Sequence, residues 1–161
     1  MKDSENQGAA DIYLRALNLL TRRDHTTAEL KRKLAIKGFA TDSIAGLLAR
    51  LAEEGYLDDK RFAEIWTESA MRNGRGYGLR ILQELQKRGI SREIATEAVA
   101  AATAEYPELD SLAAIVSKRF SAFDPAAAST KEKQRVYLYL QRRGFSIQTI
   151  TGFFTNRDRG A

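Results

Sequence analysis

The sequence predicts an all-α protein of three tandem three-helix repeats, forming an elongated, curved molecule. Three observations carry that prediction. Apolar residues recur at helical spacing while β-branched alternation is nearly absent, and only two prolines, Pro107 and Pro125, interrupt 161 residues. One phrase recurs: "LAIKGF" (Leu34 to Phe39), "LQKRGI" (Leu85 to Ile90) and "LQRRGF" (Leu140 to Phe145). Its glycines stand 51 positions apart (38 to 89) and then 55 (89 to 144), with an isoleucine at a similar distance after each (Ile44, Ile94, Ile150). Such a period marks a repeat array. Modules this small bury little surface alone, so each leans on its neighbour along a line.

Each phrase reads as a helix end. Glycine most easily takes the left-handed position past a helix C-terminus, and in the Schellman arrangement the next residue packs on the one four positions before the glycine. The predicted contacts are Leu34 with Phe39, Leu85 with Ile90, and Leu140 with Phe145. Lys37, then Lys87 and Arg88, then Arg142 and Arg143 stand where cations favour the helix dipole. A fourth variant, "LAEEGY" (Leu51 to Tyr56), puts two acids in the last turn. Dipole pairing is therefore not obligatory, and the basic doublets need a further reason.

The elements follow in order. A disordered tail is expected over 1–10, and the first repeat over 11–57. Its first helix runs from about Asp11 to Arg22 with Ile12, Ala16, Leu19 and Leu20 on one stripe. Thr26 with Glu29 makes a capping box for the second helix, which ends at Gly38. Thr41 or Asp42 caps the third, which turns Ile44, Leu47, Leu48 and Leu51 inward and ends at Gly55. The second repeat covers 58–106: Asp58 or Asp59 caps a helix carrying Phe62, Ile65, Trp66 and Ser69 at helical spacing. "RNGRGYG" breaks the chain, a helix from about Leu79 ends at Gly89, and Ser91 starts another reaching about Glu105. Pro107 opens the third repeat, 107–155. It holds a helix from about Glu108 to Phe120, a linker "SAFDPAAAST", a helix from about Lys131 to Arg143 and a short one from Ser146 to about Thr155. A second tail is expected over 156–161.

Composition narrows the function. The absence of cysteine excludes disulfides and thiolate metal sites and favours a reducing compartment. No apolar run approaches the roughly twenty residues of a membrane span, and "MKDSENQGAA" lacks a signal-peptide core, so a cytoplasmic protein without a membrane partner is expected. A net charge of +5 and a pI near 9.6 favour a polyanionic partner, although 26 bases against 21 acids make a mixed surface.

No constellation reads as catalytic, and neither cofactor nor metal is expected. His25 has no second His or Cys nearby and reads as a solvated turn residue. Asp58 and Asp59 read as helix caps rather than a carboxylate pair, Glu53 and Glu54 as exposed, and Trp66 with Phe62 as core rather than a base-stacking platform. "GRGYG" (Gly74 to Gly78) lacks the Lys-Ser/Thr of a P-loop and follows no strand. It reads as a hinge made a basic knuckle by Arg72, Arg75 and Arg80, or as a flexible turn with solvated arginines.

Helices joined by a short Gly turn also suggest DNA-reading modules, but there the second helix enters the groove. Here the helices after each turn ("TDSIAGLLARLAEE", "SREIATEAVAAATAE", "SIQTITGFF") are neutral to acidic. The positive charge lies on the preceding ones: "KRK" (Lys31 to Lys33), "QKR" (Gln86 to Arg88), "KEKQR" (Lys131 to Arg135) and "QRR" (Gln141 to Arg143). A periodic basic edge tracks a phosphate backbone or an acidic polymer without reading sequence; the bland alternative is a set of solvated faces.

The segments "ALNLLTRRDHTTAELKRKLAIKGF", "LLARLAEEGYLDDKRFAEIW", "GYGLRILQELQKRGISREI" and "VYLYLQRRGFSIQTI" resemble the RecX family of bacterial recombination regulators in order and spacing, from about Ala16 to Phe154. The resemblance implies an all-helical protein of three tandem three-helix repeats that binds RecA filaments on single-stranded DNA and restrains their strand exchange and ATP hydrolysis; a monomer that is not an enzyme is expected. Double-stranded DNA is an additional candidate partner. The basic positions that would meet DNA phosphates or acidic protein surface are Arg22, Arg23, Lys31, Lys33, Arg72, Arg75, Arg80, Lys87, Arg88, Arg142 and Arg143, with acids around Glu53 to Asp59 facing filament bases. The motif residues Leu85, Gly89, Leu140, Gly144 and Phe145 read as structural. The rival reading is a sequence-independent DNA binder acting through the same basic edge.

Overall fold

The structure, a computed structural model, describes residues 2–156, with side chains over 8–155. These residues form helices only: α1 (Lys2–Leu20), α2 (Thr27–Ile36), α3 (Thr41–Glu53), α4 (Asp59–Arg72), α5 (Gly78–Lys87), α6 (Arg92–Glu105), α7 (Glu108–Arg119), α8 (Thr130–Arg143) and α9 (Ile147–Asn156). Grouped in threes they are the expected repeats. The buried apolar residues form two separate clusters, so the repeats do not close around a single core.

Helix α1 starts well before the position its apolar stripe marks, and residues 2–10 continue it rather than forming a separate tail. Lys, Glu, Gln and Ala propagate a helix without an apolar face once packing further along has nucleated it. The tail expected over 156–161 lies outside the described residues beyond Asn156. The caps follow the side-chain chemistry in most places. Thr26 and Glu29 form their capping box, Asp58 accepts from the Arg61 N–H and Ser91 from the Ile94 N–H, and Ser129 with Glu132 makes a second capping box. At α3 the expectation of Thr41 or Asp42 is corrected: Ala40 occupies the cap position without a side-chain bond, and Thr41 is the first helical residue.

All four glycine phrases are Schellman ends. Gly38, Gly55, Gly89 and Gly144 have φ of 89°, 78°, 84° and 97°. The following N–H donates to the leucine carbonyl at Leu34 (3.4 Å), Leu51 (2.9 Å), Leu85 (3.1 Å) and Leu140 (3.3 Å).

Two of these ends are also joints between repeats. The C-terminus of α5 abuts the N-terminus of α2, where Thr26 Oγ1 donates to the Arg88 carbonyl at 2.6 Å. The C-terminus of α8 abuts the N-terminus of α5 in the same way, with the Tyr77 N–H donating to the Arg143 carbonyl at 2.7 Å. The second helices of the three repeats thus join end to end, carbonyl ends against amide ends, which aligns their dipoles favourably. A side chain at either glycine would block the approach: a Cβ at Gly89 would stand 2.2 Å from the Ala28 Cβ, and one at Gly144 2.2 Å from the Tyr77 carbonyl oxygen.

The core divides unequally. Ile12, Ala16, Leu30, Leu34, Ile44, Leu47, Leu48, Leu51 and Leu57 form one cluster within the first repeat, while repeats two and three share a second. In α4 the buried face is Ala63, Thr67, Ala70 and Met71, set against an α6 face of Ala95, Ala98 and Ala102. Small residues on both sides let the two helices pack closely. This corrects the expected stripe: Phe62 and Trp66 flank the contact half-buried, and Ile65 is exposed.

Candidate nucleic-acid interface

The basic knuckle is a fixed turn rather than a free hinge. Arg143 Nη1 donates to the Arg75 carbonyl (2.9 Å), Arg80 Nη1 to the Arg142 carbonyl (3.0 Å) and Arg75 Nη2 to Ser69 Oγ (2.8 Å). The Tyr77 ring stacks on Phe145 at 5.1 Å, and its hydroxyl donates to the Tyr106 carbonyl. Burial and the nearby Glu108 charge push the Tyr77 phenol up to about 12. Arg75 of "GRGYG", Arg80 just beyond it and the two arginines of "LQRRGF" are therefore brought together at the second joint.

The first joint is ionic. Glu29 is buried and receives Arg23 Nη1 at 3.0 Å and Arg88 Nη1 at 2.7 Å. Burial alone would raise its carboxyl, but the Arg23 hydrogen bond and the charges of Arg23 and Arg88 outweigh that and hold it below the usual carboxylate range. Asp59, the alternative cap of α4, instead accepts from the Thr27 N–H (2.8 Å) and hydroxyl (3.1 Å). His25 is buried, not solvated: Nδ1 meets the Arg23 carbonyl at 2.9 Å and Nε2 meets Lys33 Nζ at 3.0 Å. Desolvation, with the Arg23 and Lys33 charges, lowers its pKa, so it sits as a neutral acceptor for Lys33. Glu54 also has partners, accepting from Tyr13 Oη and Arg50 Nε.

Around these two joints lies a series of four concavities, each sharing a lining residue with the next. The first, about 400 Å³, lies between Arg23, Arg88, Trp66 and Arg75. Arg75 also lines the second, about 650 Å³, with Arg72, Lys118, Arg119 and Arg143 against the acids Glu105 and Asp110. Arg119 and Tyr139 carry over into a third of about 280 Å³ with Phe120, Arg135 and Arg142. Arg142 carries over into a fourth of about 580 Å³ that holds Arg80. Aromatic faces in this series carry guanidinium groups: Arg88 and Arg75 over Trp66 (5.4 and 5.9 Å), Arg143 over Tyr139 (5.0 Å) and Arg135 over Phe120 (5.5 Å). Basic grooves with interleaved rings suit a single-stranded polyanion, whose phosphates take the cations and whose bases stack on the rings.

Seven of the expected basic positions line this series: Arg23, Arg72, Arg75, Arg80, Arg88, Arg142 and Arg143. Arg72 is partly committed, to Glu68 and the Tyr106 hydroxyl. Arg22, Lys31 and Lys87 are exposed and line none of the four concavities, and Lys33 is held by His25. Sequence reasoning missed Lys118 and Arg119. Their signal is a basic pair directly before an aromatic, "KRF", at the end of α7. It also assigned Trp66 to the core by size. Among the described residues no group of three or more His, Cys, Asp or Glu is placed to hold a metal, and no helix is long and apolar enough to cross a membrane.

Comparison with known proteins supplies the family. The first, second and third three-helix domains of RecX match residues 13–51, 58–99 and 107–154. "Regulatory protein RecX" of Trichlorobacter lovleyi is 40% identical over 145 residues, covering 90% of this chain and 94% of the relative. The protein of that name from Syntrophotalea carbinolica is 32% identical, covering 90% and 95%. The crystal structure of RecX from Lactobacillus salivarius superposes with a TM-score of 0.76 at 21% identity, over 96% of this chain and 99% of that one, which supports the fold alone. With all three domains present in order and full-length relatives at this identity, the chain belongs to the RecX family of regulatory proteins.

Proposed function

We propose that this protein binds RecA filaments assembled on single-stranded DNA and lowers their strand exchange and ATP hydrolysis, with no chemistry of its own. Membership of a family of regulatory proteins supports the RecA partner. The observation that carries the DNA contact is the series of four concavities with shared lining residues, whose arginines lie over Trp66, Tyr139 and Phe120. Its readers are guanidinium groups and ring faces, so contact is with backbone and stacked bases rather than a base sequence.

The test is RecA's single-stranded-DNA-dependent ATPase titrated with this protein at fixed salt, beside its own affinity for the same bare DNA. Inhibition well below the concentration that saturates the DNA is expected. Inhibition that appears only as the DNA becomes coated would instead mark a sequence-independent DNA binder competing for phosphate, with the steep salt dependence of such binding.

A further inference from the structure

The second concavity, at the seam of repeats two and three, is larger and differently lined than tracking a backbone requires. At about 650 Å³ it is the size of a small-ligand site. Its cations Arg75, Arg119 and Arg143 form no ion pair among the described residues, while Ile115 and the Tyr139 ring give it an apolar wall. Gly74 adopts φ +64°, and a Cβ there would stand 3.0 Å from Ile115 Cγ1. The loop closes against α7 on that side because this residue has no side chain.

We propose that this cavity receives one unpaired nucleotide of a single strand, its base against Ile115 and Tyr139 and its flanking phosphates on Arg75 and Arg119. The proposal rests on the DNA contact inferred above and deepens it. Arg75 also lines the first concavity and Arg119 the third, so phosphates on either side of the base would fall beside the two neighbouring grooves. A base in a duplex enters only after unpairing and unstacking, which costs a few kcal/mol. The cavity therefore selects single strands, while the arginines outside it hold either form of DNA.

The test uses the full chain with the double variant Ser111→Leu/Ala114→Leu, which adds aliphatic bulk to the α7 wall one helical turn apart and leaves every arginine and ring in place. Fluorescence anisotropy would compare a labelled oligo(dT) with a hairpin duplex of equal charge. The expected result is about a tenfold loss for the single strand, the size of one base contact, with duplex affinity unchanged. A second readout keeps the proposal testable should the variant fold poorly: 2-aminopurine placed singly in oligo(dT) should change its emission when wild-type protein binds. Unchanged single-strand affinity in a folded variant, or an unresponsive 2-aminopurine in a saturated complex, overturns the cavity alone. Wild-type protein that binds neither DNA form overturns the cavity and the DNA contact together.

Discussion

Where α5 meets α2 the contact is polar: a buried carboxylate between two guanidinium groups, a threonine hydroxyl on a carbonyl, and separate apolar cores on either side. Where α8 meets α5 the geometry repeats, but Tyr77 stacks on Phe145 and one core runs through both repeats. The same helix-ending glycine thus serves an ionic joint and an aromatic one. The difference teaches that repeats two and three are built on one core, to which repeat one is tied by electrostatics and hydrogen bonds. It also supplies the further reason for the basic doublets: Arg88 and Arg143 hold neighbouring repeats rather than only their own helix ends.

The largest effect expected is at the aromatic joint. Gly144→Ala adds left-handed strain of about 1–2 kcal/mol to an overlap with the Tyr77 backbone costing about 1–3 kcal/mol. Thermal unfolding followed by circular dichroism should shift down by on the order of 10 °C. A shift no larger than that of Gly38→Ala would break the comparison. Gly89→Ala comes next, at about 2–3 kcal/mol, because its overlap is with the Ala28 side chain. Ala28→Gly should restore part of the loss in a double-mutant cycle, and strict additivity would show that the two residues do not meet.

Glu29→Gln leaves Arg23 and Arg88 without their buried carboxylate. Both arginines are partly solvated, so the expected cost is about 1–2 kcal/mol. Hydrogen exchange should quicken at Leu30 and Leu34 while Ile81 and Leu140 stay protected, since the shared core is untouched; equal quickening at both would mean the chain opens as one unit. Gly38→Ala, the same substitution at a phrase with open space around it, should cost only its strain of about 1 kcal/mol.

The smallest effect in the neutral range is the pH dependence, which separates the joints by sign. The His25 and Glu29 pKa values are lowered, so their contributions are present above the unfolded values of 6.5 and 4.5 and are lost as pH falls through the folded ones. The Tyr77 value is raised, so its contribution is present below 10.0 and lost as pH rises toward about 12. Acid should therefore loosen repeat one first, beginning below about pH 6.5, and alkali the seam of repeats two and three. Exchange rates at Leu34 and Leu140 across both ranges check this, and a common midpoint would contradict it.

Much of this was legible in the chain because it is local. The Thr26–Glu29 box, the Ser91 cap and the left-handed glycines follow from residues within one turn of each other, and the α3 stripe of Ile44, Leu47, Leu48 and Leu51 from simple periodicity. Trp66 packs against the core as expected, but only half-buried. Alanine facing alanine between α4 and α6 displaced it to the rim, where it lies under Arg88. The burial of His25 was not legible because nothing in sequence places Lys33, eight residues away, beside its ring.

Helix positions, their ends and the period of the repeat are thus set by the amino-acid order, since propensity, capping and the positive φ of glycine act over a few residues. Only the tertiary structure decided which ends meet. Gly38, Gly89 and Gly144 share a motif and a conformation, yet open space surrounds the first while the others touch a preceding repeat. The same holds for the basic surface: Arg75, Arg119 and Arg143 lie far apart in sequence and line one cavity because repeats two and three pack on one core. Long-range contact of this kind depends on the packing of whole repeats, which no short stretch of sequence encodes.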